Sequence, residues 1–347
     1  VKPNLKTEED NSYLLINDDL QKTESKVNDI FFFFRANKLG FSKQKFLEQF
    51  EAKKDEINSN FDFFDCFEEY LTSGSLIKSY NTIKAQRTIK NYLKTFEEET
   101  GFVITFDKLN DIFYEELMKY SFFEKEIKNN YFAKIIAVLK SFVRWSIDKN
   151  YTTNRDFEKF KGIEHDVDII YLTYEELIKL YKHDFENSRL NHVKDFYCMG
   201  CFTGLRFSDL SQLHRANITE THINISIQKT KTQNHIISLN KFSKEILDKY
   251  RGTIYEPLPK ISQQKFNDYI KDCCEIIELD KPTTITWFIG TKKVQNTVPK
   301  HQLITSHTAR KTFITNSLLL GMEPKAIKKI ANIKKDAVLD KYMKITE

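Results

Sequence analysis

Four stretches between residues 58 and 162 repeat apolar residues three and four positions apart: Phe61–Leu71, Ser79–Glu99, Phe106–Tyr120 and Asn129–Lys149. That spacing gathers the apolar side chains of each stretch on one face of an α-helix, and four such faces in succession bury each other most directly as a bundle. In the second stretch Ile83, Ile89, Tyr92, Leu93 and Phe96 form the stripe, while Lys84, Arg87, Lys90 and Lys94 fall off it. In the fourth, Phe132, Ile135, Ile136, Leu139, Phe142 and Val143 point inward. The off-stripe cations read either as a solvated face or as a surface for a polyanion.

The second half breaks this pattern. A polar joint, Asn150–Asp168, marks the predicted domain boundary, and Thr173-x-x-Glu176 is a capping box that opens a helix over Tyr174–Tyr181. Helical spacing is expected over Phe196–Phe202, Asp209–Leu213, Ser243–Tyr250 and Gln263–Ile277. Between them His222–Ile227 alternates Ile223, Ile225 and Ile227 with polar residues, which is strand periodicity. The polar turn Lys229–Asn234 leads to a second strand at Ile236–Leu239, so a hairpin is predicted, with another around Ile285–Val298. Residues 1–57 are polar apart from Phe31–Phe34, with helices expected over Leu15–Lys38 and Ser42–Phe50. The predicted divisions are therefore 1–57, the end of an N-terminal module with linker helices; 58–162, a helical domain; and 163–347, a mixed α/β domain. The fold class is mainly α with a small β component.

Composition excludes several classes. With 40% hydrophobic and 30% charged residues but only 9 Gly and 6 Pro, the 347-residue chain is neither collagen-like nor low-complexity. The longest apolar runs fall far short of a bilayer span, so no membrane partner is expected and the chain reads as soluble and cytoplasmic. Its first residue is Val1, which leads us to expect a piece of something longer. Five cysteines spread over this length do not form a disulfide framework. Cys198-x-x-Cys201 has no second pair to complete a metal site, so it reads as two small apolar residues on a helix face. The net charge is +5, and the segment from His301 onward carries nine Lys/Arg against four Asp/Glu. That basic block points to a polyanion.

There is no Walker loop, HExxH or G-x-S-x-G. Four short pieces stand out instead: Thr203-Gly204-Leu205-Arg206-Phe207-Ser208-Asp209-Leu210; Lys229-Thr230-Lys231-Thr232 in the hairpin turn; Ser306-His307-Thr308-Ala309-Arg310; and Tyr342. Two of only nine arginines lie in them. In residue type, order and local context they resemble the active site of the tyrosine recombinases, the phage-integrase family. Arg206 matches the first arginine of a T-G-x-R-x-x-E/D-L turn, with Asp209 at its acidic position. His307 and Arg310 match an H-x-x-R motif, a hairpin-turn lysine matches the family lysine, and Tyr342 matches the nucleophile. Ser306–Thr315 reads like the integrases of conjugative and transposon-like elements, and the similarity runs across roughly residues 60–347.

The resemblance implies a helical, SAM-like core-binding domain followed by a mixed α/β catalytic domain, clamping double-stranded DNA. It implies a homo-tetramer on DNA, with accessory DNA-bending or directionality proteins as further partners, and it implies no metal and no cofactor. Attack of a tyrosine oxygen on a phosphodiester builds charge on two non-bridging oxygens, and two guanidiniums suit that charge because each is a planar fork of donors that stays cationic. Arg206 and Arg310 are assigned that clamp, Tyr342 the covalent step, and a turn lysine the protonation of the leaving oxygen, with His307 assisting as hydrogen-bond donor or proton acceptor. Lys231 fits the lysine's spacing after the strand better than Lys229, which is the alternative. Lys84, Arg87, Lys90 and Lys94 are the candidate DNA contacts of the helical half. One position departs from the family: Ile333 stands where a His or Trp is usual, and isoleucine cannot donate a hydrogen bond. The alternative readings are a Xer-like resolvase and a catalytically weak DNA-binding protein that keeps the fold.

Overall fold

The structure, a computed structural model, describes residues 61–227 and 232–344 and, before them, residues 20, 23–24, 27–28, 30–32, 34–35, 40–48 and 50. Apart from 40–42, the described residues before 51 are helical; the remainder of the helices expected over Leu15–Lys38 and Ser42–Phe50 lies outside the described residues. The chain separates into two compact units, Val1–His165 with Phe288–Lys292, and Asp166–Trp287 with Lys293–Glu347. Among the described residues no helix is long and apolar enough to cross a membrane.

The first unit is built on α1 (Phe63–Ser75), α2 (Tyr80–Thr100), α3 (Asp111–Lys119) and α4 (Asn129–Asp148). Each start has a chemical reason. Asp62 accepts from the amides of Phe64 and Asp65, and Ser79 accepts from Thr82, satisfying N–H groups that a helix leaves open. Gly101, at φ 71°, ends α2 in the left-handed conformation. The single helix expected over Phe106–Tyr120 is instead a 3₁₀ turn, then α3, then a π turn at Tyr120–Glu124. Asn110 causes the break by accepting from Ile112 and Phe113 and so capping a new helix. The core is largely aromatic: Phe67 stacks on Phe142 at 4.2 Å, with Phe63 and Phe106 against the same ring. Each ring buried there contributes roughly 1.5–3 kcal/mol.

The second unit is wrapped around α6 (Ser188–Thr203), which packs against α5 (Tyr174–Lys182), α8 (Lys241–Tyr250), α9 (Gln263–Ile276) and α10 (Ser306–Leu319). Helical periodicity locates only Phe196–Phe202 of α6; every residue from Val193 to Thr203 is buried, so this stretch has no apolar stripe to mark its bounds. Cys198 and Cys201 sit inside this core as free thiols, and burial pushes both well above their ordinary pKa. The expected capping box is present: Thr173 accepts from the Glu176 amide and Glu176 accepts from the Thr173 amide. Strands β1 (Asn217–Ile218), β2 (His222–Ile227) and β3 (Thr232–Ser238) form an antiparallel sheet in that order, with Ile223 opposite Ile237 and Ile225 opposite His235. The second hairpin is β4 (Pro282–Ile289) with β5 (Lys292–Pro299). Two short helices close the chain, α11 (Pro324–Ile330) and α12 (Asp336–Met343). They pack with the end of α10 in a separate small cluster of Phe313, Ile314, Ile327, Ala331, Ile333, Leu339 and Tyr342.

Gly204 governs how closely α6 meets α10. It stands at φ +68°, and a Cβ there would lie 2.6 Å from the Phe313 ring. Gly204→Ala therefore combines the left-handed backbone penalty with overpacking and is expected to destabilise the second unit by about 2–5 kcal/mol. Urea unfolding followed by circular dichroism measures it.

Candidate active site

The C-terminus of α6 places the first arginine. After Gly204 the chain turns through buried Leu205, and Arg206 takes an extended conformation at the N-cap of α7 (Phe207–Leu210). Its side chain is 20% exposed, with Nη1 3.9 Å from Oδ2 of the buried Asp209. That Nη1 is itself buried and makes no hydrogen bond. A donor held without an acceptor inside a protein is costly, and such sites are where an anion would be stabilised.

Helix α10 places the second arginine. A reciprocal cap between Thr305 and Thr308 starts it, and Leu172 donates to Thr312 Oγ1 at 3.0 Å from the preceding chain. His307 is exposed one turn ahead of Arg310, which is only 8% exposed. Arg310 donates from Nη1 to the Gly204 carbonyl at 2.8 Å, joining α10 to the turn that carries Arg206. Burial and the neighbouring Arg206 charge push its pKa down to about 10, against the opposing influence of Tyr342 and Asp209. Two of the sequence-selected residues, Arg206 and Tyr342, thus each lie within electrostatic reach of a third, Arg310.

Tyr342 is buried among Leu339, Ile333 and Phe313. Burial raises its pKa and the Arg310 guanidinium partly opposes that rise. Ile333 is 6% exposed and serves the packing of this cluster. Lys229 and Lys231 lie outside the described residues, between Ile227 and Thr232, which face each other across the β2–β3 ladder.

His235 was not selected from the sequence. It sits on β3 in phase with Ile237, donates from Nε2 to the Ile330 carbonyl at 2.8 Å, and feels the charges of Asp209, Arg310 and Lys334. The signal available was this alternation: His235 occupies an inward-facing strand position four residues after Lys231. His235 also lines an open cleft of about 350 Å³ with Thr232, Asn332, Ile333 and the lysines Lys325, Lys328, Lys329 and Lys334.

In the first unit the four cations of α2 differ. Arg87 and Lys90 both pair with Glu68, at 2.8 and 2.7 Å, and hold its carboxyl below the usual range through the Lys90 hydrogen bond first. Lys84 and Lys94 are exposed, and the Lys94 ammonium lies 5.3 Å from the centre of the Phe64 ring. Among the described residues no group of three His, Cys, Asp or Glu side chains is arranged to hold a metal ion.

Solved structures with this arrangement of elements include integrases. A lambda integrase dimer bound to a COC′ core site superposes with a TM-score of 0.62 at 14% identity, covering 84% of this chain and 79% of that one. This is the tyrosine-recombinase fold. A lambda integrase tetramer bound to a Holliday junction gives 0.59 at 14% identity over 88% of both chains. The Tn1549 transposon integrase in complex with transposon right end DNA gives 0.60 at 13% identity, covering 80% of this chain and 93% of that one. No protein-family model and no curated protein matches the sequence.

Within this recombinase fold, the burial of Tyr342 sets a measurable property. Its phenol is expected to remain more than half protonated at pH 10, because burial favours the neutral form more than Arg310 disfavours it. A tyrosinate absorbance titration of the wild type against Tyr342→Phe should differ by less than half of one ionised tyrosine at that pH. A difference of a full tyrosinate would contradict it.

Proposed function

We propose that this chain is a site-specific DNA recombinase that cuts and rejoins double-stranded DNA through a 3′-phosphotyrosyl intermediate, integrating or excising a mobile element. The observation that supports it is the buried Arg310 guanidinium, tied to the Gly204 carbonyl and lying within electrostatic reach of both Arg206 and Tyr342. A phosphodiester entering there would meet two cationic forks and a phenol together.

The roles follow from charge and proton movement. The Tyr342 oxygen forms a bond to phosphorus as the bond to the 5′ oxygen breaks, so one phosphodiester replaces another and no ATP is consumed. Arg206 and Arg310 stabilise the charge that gathers on the non-bridging oxygens. His307, exposed at the mouth of α10, donates to the phosphate or takes the phenol proton. Lys231, or alternatively Lys229, protonates the departing 5′ oxygen. Because Arg310 is charged well past neutral pH even after its pKa is lowered, the clamp is in its working state throughout the physiological range. The exposed Lys84 and Lys94 with Arg87 and Lys90 provide backbone contacts in the helical unit, where phosphate contacts orient a protein without reading bases. Lambda integrase forms a tetramer on a Holliday junction. The same assembly is the natural one here, since strand exchange joins two duplexes.

A second reading, a DNA-binding protein of weak activity, is favoured by one observation: Ile333 gives its side chain to packing and supplies no donor to the phosphate.

The test is a nicked suicide duplex carrying the element's own end sequence, incubated in EDTA without ATP. The recombinase reading predicts a protein–DNA adduct that survives denaturation and is absent in Tyr342→Phe. Arg206→Ala and Arg310→Ala should each slow its formation on the order of 10²–10³-fold. Salt-sensitive binding of that duplex with no adduct from the wild type would favour the second reading.

A further inference from the structure

Two side-chain hydrogen bonds join strand β3 to the turn that precedes α12, and none of the roles above uses them. His235 donates from Nε2 to the Ile330 carbonyl at 2.8 Å, and Asn332 donates from Nδ2 to Thr232 Oγ1 at 3.1 Å. His235 is 8% and Asn332 is 7% exposed. Ile330 is the last residue of α11, where terminal carbonyls have no partner within the helix, so an imidazole N–H meets an open acceptor. Burial disfavours protonation of His235, which keeps the ring a neutral donor at this nitrogen. Asn332 stands at φ 46°, a left-handed conformation that asparagine accepts more readily than most residues. One bond alone would leave the turn free to pivot on the strand. Two bonds, from Thr232 and His235 on one side to Asn332 and Ile330 on the other, fix both its position and its angle.

We propose that His235 and Asn332 are positioning residues that clasp the 331–335 turn to β3 and so hold Tyr342 at its place beside Arg310. The inference rests on the recombinase reading and extends it. Ile333, between the clasp and the nucleophile helix, gives its side chain to apolar packing and its amide to the Lys328 carbonyl at 2.9 Å, so the side-chain hydrogen bonds from this turn to β3 are those of the clasp. Thr232 also directly follows Lys231 in the chain. The clasp therefore links the segment that carries the candidate acid to the one that carries the nucleophile.

Asn332→Gly is the cleanest probe, because glycine accepts φ 46° without strain and only the amide is lost. Single-turnover adduct formation on the nicked duplex is expected to fall on the order of 10- to 100-fold, as a reacting group misplaced by about an ångström would give. Duplex affinity and the thermal midpoint are expected to stay at wild-type values. His235→Leu should show the same loss, and His235→Gln, whose side-chain amide reaches the same carbonyl, should recover most of it. Wild-type adduct rates in both Asn332→Gly and His235→Leu would overturn the clasp while leaving the recombinase reading intact. Losses that follow the thermal midpoint and are not recovered by glutamine would overturn it equally, as plain structural damage. If His235→Leu does not fold, Asn332→Gly decides alone. A wild type that forms no adduct removes the recombinase reading, and the clasp's role with it.

Discussion

The hydrogen bond from Arg310 to the Gly204 carbonyl is the contact on which the second unit turns. It requires α6 and α10 to meet at close range, which is why Gly204 has no side chain to place against Phe313 and why α6 is buried throughout from Val193 to Thr203. It also keeps a guanidinium out of water beside a second one, an arrangement that lowers the Arg310 pKa and is unfavourable in itself. Asp209, almost wholly buried, offsets part of that repulsion. A polypeptide has little reason to keep two cations together for stability alone. In the proposed function an incoming phosphate would relieve both, as a site preorganised for developing negative charge requires.

The nucleophile candidate is held differently. Tyr342 belongs to a small cluster apart from the main core, on an eight-residue helix. So short a helix owes its stability to packing and to contacts at its ends, since its own hydrogen bonds are too few. Apolar burial by Ile333, Leu339 and Phe313 supplies the packing. The bonds from His235 and Asn332 orient the turn in front of it.

Much of this was legible in the sequence. The three- and four-residue spacing marked α1, α2 and α4, whose apolar stripes face one core and whose other faces are wet. The alternation of Ile223, Ile225 and Ile227 marked β2, and the Thr173–Glu176 pair marked the start of α5. Periodicity is silent where its physical basis is missing. From Val193 to Thr203 helix α6 has no wet face, so that stretch carries no apolar stripe to mark its bounds. The break at Asn110 was hidden because a capping side chain left the apolar spacing on either side undisturbed. The two arginines and the tyrosine stood out by residue type and order. His235 did not, because its role depends on a carbonyl 95 positions away that no local pattern contains. Nor could the sequence tell that Arg87 and Lys90 share Glu68 while Lys84 and Lys94 remain exposed.

The central claim is that the phenol beside Arg310 attacks DNA phosphorus. Its most direct test is to trap the covalent product, digest it with nuclease and protease, and locate the residual nucleotide by tandem mass spectrometry. The account predicts a 3′-phosphonucleotide on the peptide containing Tyr342, with fragment ions that assign it to that tyrosine. The same mass on any other residue, from a wild type that forms the adduct, would contradict it.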